Sequence, residues 1–255
     1  MKKYYKYLLI IIIVIFSFYY TDKVIELSNY NNTILASINN YALVNDNECI
    51  EGYINSDGIV LGYNGIKIDK NKSYSNMKGI GFKKDLLEYK KNKCILNKED
   101  NLDKYIKSGN KIENKISIVI DINDMKYYDY IDKVSKDESI EINYLIDKDK
   151  NGFNNVLYKT NKNDIKEFKK KYSSFYCVNY NNFDLLEYCK KEKINSIRII
   201  NYIDKDLLLN TKKILDKGVI IFIKENDINI KELIPTIKYI KSRGFKIVTI
   251  DELLS

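Results

Sequence analysis

Apolar and polar positions along the chain fall into three regimes. The first is an uncharged run from Tyr7 to Tyr20, "YLLIIIIVIFSFYY", preceded by Lys2, Lys3 and Lys6. A helix apolar on all faces belongs in an apolar medium. Its 14 residues fall short of the roughly 20 that cross a bilayer and match the apolar part of a signal peptide. No small-residue cleavage site follows "FSFYY", the flanking tyrosines suit a membrane interface, and Lys6 can snorkel. The pattern predicts an uncleaved signal anchor over residues 1–21, with the basic start in the cytoplasm and the remainder outside. The alternative is a cleaved signal peptide and a secreted protein.

The second regime, residues 22–112, is rich in Asn, Tyr, Lys and Gly. "GIVLGYNGIKID" reads as strand, tight turn, strand, with glycines supplying the turn. "KNKSYSNMK" reads as a short helix and "LLEYKKNKCIL" as a strand. The stretch from Asn97 to Asn114 is polar and reads as a connector. These features predict a small α+β domain.

From Lys115 onward, apolar strands alternate with amphipathic helices. "ISIVIDI", "IEINYLI", "SFYCVNY", "SIRIINYI", "VIIFIK" and "KIVTI" read as strands. Between them, "YYDYIDKVSKDE", "NDIKEFKKKYS", "NFDLLEYCKKEKI", "KDLLLNTKKILDKG" and "ELIPTIKYIKSRG" read as helices, and "DELLS" as a closing turn of helix. Pro235 fits the first turn of the last long helix, and Gly244 its C-terminal cap. Alternation at this spacing means parallel strands with crossover helices, in an open sheet or a (β/α) barrel over residues 113–255.

Composition narrows the chemistry. With 45% hydrophobic and 31% charged residues among 255, the chain is globular. Its net charge of +8 is spread thinly, and no basic block interleaves with aromatics, which excludes a nucleic-acid partner. Cys49, Cys94, Cys177 and Cys189 form an even set in an oxidising compartment. Of the three pairings, those within each half, Cys49 with Cys94 and Cys177 with Cys189, are preferred; the alternative is free buried cysteines. No zinc-type or thioredoxin-type spacing occurs, nor any phosphate loop or serine-nucleophile motif. "DKDKNG" from Asp147 matches half of a calcium loop, but Tyr158 stands at position twelve where the loop needs a bidentate Glu.

The run "ELIPTIKYIKSRGFKIVTIDELL", with "KGVIIFIK" ahead of it and "KISIVIDIND" at Lys115–Asp124, resembles the NodB-homology polysaccharide deacetylases. The likeness covers about Lys115 to Ser255 and lies in pattern and order. It implies a distorted (β/α) barrel and metal-assisted hydrolysis of an acetyl group on a glycan. An aspartate and two histidines would hold the metal, a second aspartate would act as base, and a late histidine as acid. Laid onto this chain, Asp121 falls at the base position and Ile122 at the metal aspartate. The late histidine falls on Lys224, or on Ile223 if the register slips by one. The family's Arg-Pro-Pro-Tyr-Gly stretch is replaced by "YCVNYN", and the chain has no histidine at all. No metal or other cofactor is therefore expected, and Asp121 and Asp124 read as capping or solvated residues.

Loops at strand C-terminal ends form the ligand face of barrels, and tyrosine rings stack on sugars. Tyr127, Tyr128, Tyr144, Tyr176, Tyr180 and Tyr202 fall in or just after strands. The expected ligand groove comprises Asp121, Asp124, Asn179, Tyr180, Tyr202 and Lys224. The sequence thus describes a membrane-anchored extracellular protein without deacetylase activity that binds cell-wall glycan or a surface protein. The alternative is a divergent carbohydrate deacetylase with a histidine-free site.

Overall fold

The computed structural model describes residues 2–123, 126–146, 155–159, 165–171 and 175–255. Helix α1 (Lys2–Asn45) is followed by strands β1 (Tyr53–Asn55), β2 (Gly58–Val60) and β3 (Gly65–Ile68), helix α2 (Lys70–Met77) and strand β4 (Tyr89–Asn92). The chain forms two compact units, residues 1–48 with 65–92, and residues 49–64 with 93–255.

In the smaller unit, the last turns of α1 place Ile34, Ile38 and Ala42 on one face, one helical turn apart. They bury against Ile68 of β3, Met77 of α2 and Leu87, which precedes β4 in the antiparallel β3–β4 pair. Asp69 caps α2 by accepting from the backbone N of Lys72 at 3.2 Å. The first half of α1 has no such packing: its apolar side chains from Leu9 to Tyr20 are 46–71% exposed. Among the described residues no helix is long and apolar enough to cross a membrane.

The larger unit continues with β5 (Tyr105–Ser108), β6 (Lys115–Asp121), α3 (Tyr128–Asp137), β7 (Ile142–Ile146), β8 (Val156–Lys159) and α4 (Ile165–Lys171). It ends with β9 (Tyr176–Asn179), α5 (Phe183–Lys191), β10 (Asn195–Arg198), β11 (Tyr202–Ile203), α6 (Leu207–Ile214), β12 (Ile220–Lys224), α7 (Asp227–Ser242), β13 (Lys246–Ile247) and α8 (Ile250–Leu253). These strands, with β1 and β2, build an eleven-stranded sheet in the order β1-β2-β5-β10-β9-β8-β7-β6-β12-β11, with β13 against the start of β6. Every pairing is parallel except β1 with β2. The result is a mixed α/β fold whose sheet curls into a half-barrel.

Side-chain alternation along β6 sets the two sides of this sheet. Ile116, Ile118 and Ile120 face a core shared with Ile131 and Val134 of α3 and with Ile230, Leu233, Ile237 and Ile240 of α7. Val119 faces the concave side, with Leu145, Leu157, Val178, Ile197 and Phe222. The closing turn, α8, plugs that concavity with Ile250, Leu253 and Leu254. Buried polar groups hold the plug. Ser117 Oγ donates to the Val248 carbonyl at 2.5 Å, Asn143 Oδ1 accepts from Ile250 N at 3.0 Å, and Tyr176 OH donates to Asp251 at 2.7 Å. Each partner is satisfied, so these polar groups fix position without an unpaired burial cost.

Several sequence expectations change at this level. The polar connector Asn97–Asn114 contains β5, a full member of the sheet between β2 and β10. "VLYK" forms β8, which the pattern left out, and "SIRIINYI" splits into β10 and β11. "GIVLGYNGIKID" does make two strands, but β2 pairs with β1 and β5 while β3 pairs with β4. The sheet thus takes β1, β2 and β5 from the stretch before residue 113. Pro235 lies well inside α7, not in its first turn, because Asn226 caps the helix nine residues earlier by accepting from Asn229 N at 2.9 Å. Gly244 does follow the helix end, at φ +81°. Disulfides join Cys49 to Cys94 and Cys177 to Cys189.

Candidate functional site at the strand ends

Parity along each strand decides which residues reach the mouth of the half-barrel. Asp121 ends β6 on the same side as Val119, Lys159 ends β8 on the side of Leu157, and Lys224 ends β12 on the side of Phe222. All three therefore turn toward the concave side. Tyr202 starts β11 and packs against the concave core, paired with Phe222.

Asp121 is only 3% exposed. Such a carboxylate needs partners, and both oxygens have one. Lys159 Nζ lies 2.5 Å from Oδ1, and Tyr202 OH donates to Oδ2 at 2.8 Å. Burial pushes the Tyr202 phenol up from its ordinary value, and the hydrogen bond to Asp121 and that carboxylate's charge push it further. It is a neutral donor at any physiological pH. The Tyr180 ring stands 6.1 Å from the Tyr202 ring at 60°, more than half exposed, its phenol raised by burial and by Asp121's charge. Lys224 is the register partner of Asp121 across the β6–β12 pair. Its side chain is exposed, and among the described residues it has no ion-pair partner.

Asp121 is thus neither a solvated nor a loop-capping residue: its strand parity buries it, and Lys159 and Tyr202 compensate it. Asn179 does not join the groove. Tyr176 and Val178 face the concave core, so Asn179 shares the opposite side with Cys177. There its Oδ1 lies 2.7 Å from Tyr105 OH and accepts from Asn182 N at 3.2 Å. Asn182 in turn caps α5 through Leu185 N at 3.1 Å. Asn179 therefore builds the β9–α5 turn rather than a ligand surface. Asp124 and the stretch from Asp147 to Asn154 lie outside the described residues. Of the other strand-end tyrosines, Tyr127, Tyr128 and Tyr144 pack on the helix side, and Tyr176 contacts the plug.

Three contributors were not read from the sequence. Lys159 sits on the overlooked β8. Arg198, ending β10, donates to the Tyr180 carbonyl at 3.0 Å and to the Ser56 carbonyl at 3.0 Å, and so fixes the backbone that presents the Tyr180 ring. Glu225 is 7% exposed and accepts from Asn123 N at 2.9 Å and Tyr127 N at 3.3 Å. That carboxylate lies at the N-terminus of α3, where helix dipoles favour negative charge. In the sequence "VLYK" is a four-residue run without period-two alternation, so little there marks Lys159.

The donor set does not fit a metal of the deacetylase kind. Ile122, at the metal-aspartate position, is 2% exposed in the helix-side core. No histidine exists in the chain, and both Asp121 oxygens are engaged. Among the described residues, the one group of three donors close enough to share an ion is Cys49, Glu51 and Cys94. Its two sulfurs form a disulfide and offer no thiolate.

No family model and no curated protein matches the sequence. Solved structures do match in fold. The CE4 family pseudoenzyme BA3943 from Bacillus anthracis aligns with a TM-score of 0.58 at 16% identity, over 87% of this chain and 95% of that one. A mutant of that pseudoenzyme described as having restored enzymatic activity aligns equally, with a TM-score of 0.58 at 16% identity over 87% of this chain and 98% of the other. The fold of this chain is the NodB-type deacetylase fold.

Proposed function

We propose that this protein is a deacetylase-fold protein without deacetylase activity, which binds cell-wall glycan at the strand-end mouth and is held at a membrane by the apolar start of α1. The observation carrying the first part is the state of Asp121. A general base needs an open approach for the water it deprotonates. Here one oxygen meets an ammonium at 2.5 Å and the other a phenol at 2.8 Å. No imidazole is present to hold a metal or protonate a leaving group. The structural neighbours include a pseudoenzyme, which supports the same reading.

What the mouth offers is recognition. The exposed Tyr180 ring provides a stacking face, with the Tyr202 ring tilted beside it. Lys224 provides an exposed donor one strand from Asp121. An apolar face edged by donors suits a pyranose ring with its hydroxyl or acetamido oxygens. The membrane part is supported by the basic start, the exposed apolar run, and two disulfides that fit an oxidising compartment.

The test uses the purified protein with acetylated chitooligosaccharides and peptidoglycan. Acetate release should not rise above the blank with added zinc, cobalt, nickel or calcium, whereas calorimetry should detect saccharide binding. Tyr180→Ala and Lys224→Ala should each weaken that binding roughly tenfold, the scale of one stacked ring or one charged hydrogen bond. Metal-dependent acetate release would instead establish a histidine-free deacetylase. Absence of any saccharide binding would point to a surface protein as ligand.

A further inference from the structure

A buried carboxylate at the mouth of this fold needs a compensating cation, and the chain carries its own. Lys159 reaches Asp121 from β8, two strands away across β7, and closes to 2.5 Å while its side chain keeps 30% of its exposure. The carboxylate is 4% exposed at the side chain, so its charge is poorly served by water alone. Tyr202 completes its hydrogen bonding from a third strand, β11. The mouth is thereby tied together across β6, β8 and β11 by one ionic and one hydrogen-bonded contact. The ammonium of Lys159 already stands against Oδ1, where an added cation would have to compete with it.

We propose that Lys159 fills, from within the chain, the cationic role that a bound divalent ion would fill beside Asp121, and that the mouth is a metal-independent site whose shape Lys159 maintains. Lys159 is a positioning residue: it acts on the ligand surface through Asp121 and Tyr202. The glycan part of the test rests on the reading given above, whereas the metal part stands apart from it.

The first measurement is a titration of the metal-stripped wild-type protein with zinc, nickel and calcium, read by calorimetry and by the thermal midpoint. No saturable one-to-one binding at micromolar ion and no midpoint shift are expected. A tight site lost in Asp121→Asn would overturn the proposal. The second is a double-mutant cycle on the midpoint. Lys159→Met alone should lower it, because it strands the Asp121 charge. Lys159→Met in the Asp121→Asn background should lower it far less. Equal losses in both backgrounds would mean no ion pair and would also overturn the proposal. The third is chitotetraose binding in the presence of EDTA. Affinity should be unchanged by the chelator and should drop at least tenfold in Lys159→Met. Affinity lost to EDTA would defeat the metal-independent site while leaving glycan recognition standing. Absence of saccharide binding in any condition would defeat the glycan reading, and the first two measurements would still decide the role of Lys159.

Discussion

At the scale of single residues, the mouth shows how one strand position fixes chemistry. Asp121 faces the concave side by parity, and its neighbour Ile122 falls in the helix-side core. Burial has a titration consequence for the phenols around it. Tyr202 and Tyr144 are both held above the ordinary tyrosine value of 10.0, in each case chiefly by burial. The unfolded chain releases these protons near pH 10, so above that pH the native state binds more protons than the unfolded one. Stability is complete below about pH 10 and is lost as pH climbs toward the raised native values. Absorbance at 295 nm should show fewer than the full 23 tyrosines ionising before the fold is lost. Urea midpoints should fall steadily above pH 10, and Tyr202→Phe should make that fall shallower. A midpoint flat from pH 10 to 12 would contradict the burial argument.

At the scale of elements, the Cys177–Cys189 disulfide ties β9 to α5, and the turn it encloses carries Asn179, Tyr180 and the capping Asn182. Both sulfurs lie in a buried cluster with Ile165, Leu185 and Ile194. A bridge spanning 12 residues stabilises chiefly by restricting the unfolded chain, by about 3 kcal/mol. Replacing both cysteines with alanine should cost about that much in a denaturant melt and weaken saccharide binding through the Tyr180 turn. A loss below about 1 kcal/mol would mean the packing of α5 holds the turn unaided. The same scale explains what was legible beforehand. The apolar run of β6, the amphipathic pattern of α5 and of the second half of α7, and the closing turn at α8 are legible in the sequence, whereas the start of α7 at Asp227 is not. Strands β5 and β8 are four residues each, with polar ends, and gain their place from neighbours on both sides of the sheet. Local pattern cannot report such pairing, so Lys159 was missed together with its strand. Asn179 was misassigned for a related reason: its position in sequence is a strand end, but which side of the sheet it faces depends on the register of the core.

At the scale of the whole molecule, α1 joins two environments in one element of 44 residues. Its final turns are closed by the core of the smaller unit, with Ile34, Ile38 and Ala42 no more than 2% exposed. Its apolar run from Leu9 to Tyr20 lies open on every side. The eleven apolar residues of that run are exposed here as they would be in an unfolded chain, and each would gain about 1–2 kcal/mol on entering an apolar medium. In the proposed reading a membrane would supply that medium without new protein contacts, and the leading lysines would meet anionic headgroups. The full chain should therefore sediment with membranes and resist alkaline carbonate. The chain lacking residues 1–21 should be soluble and retain the thermal midpoint of the remainder, because nothing in either core draws on the deleted residues. Release of the full chain by carbonate would show that the run is held by protein or cleaved away, and the exposed stripe would then have to be explained as a docking surface.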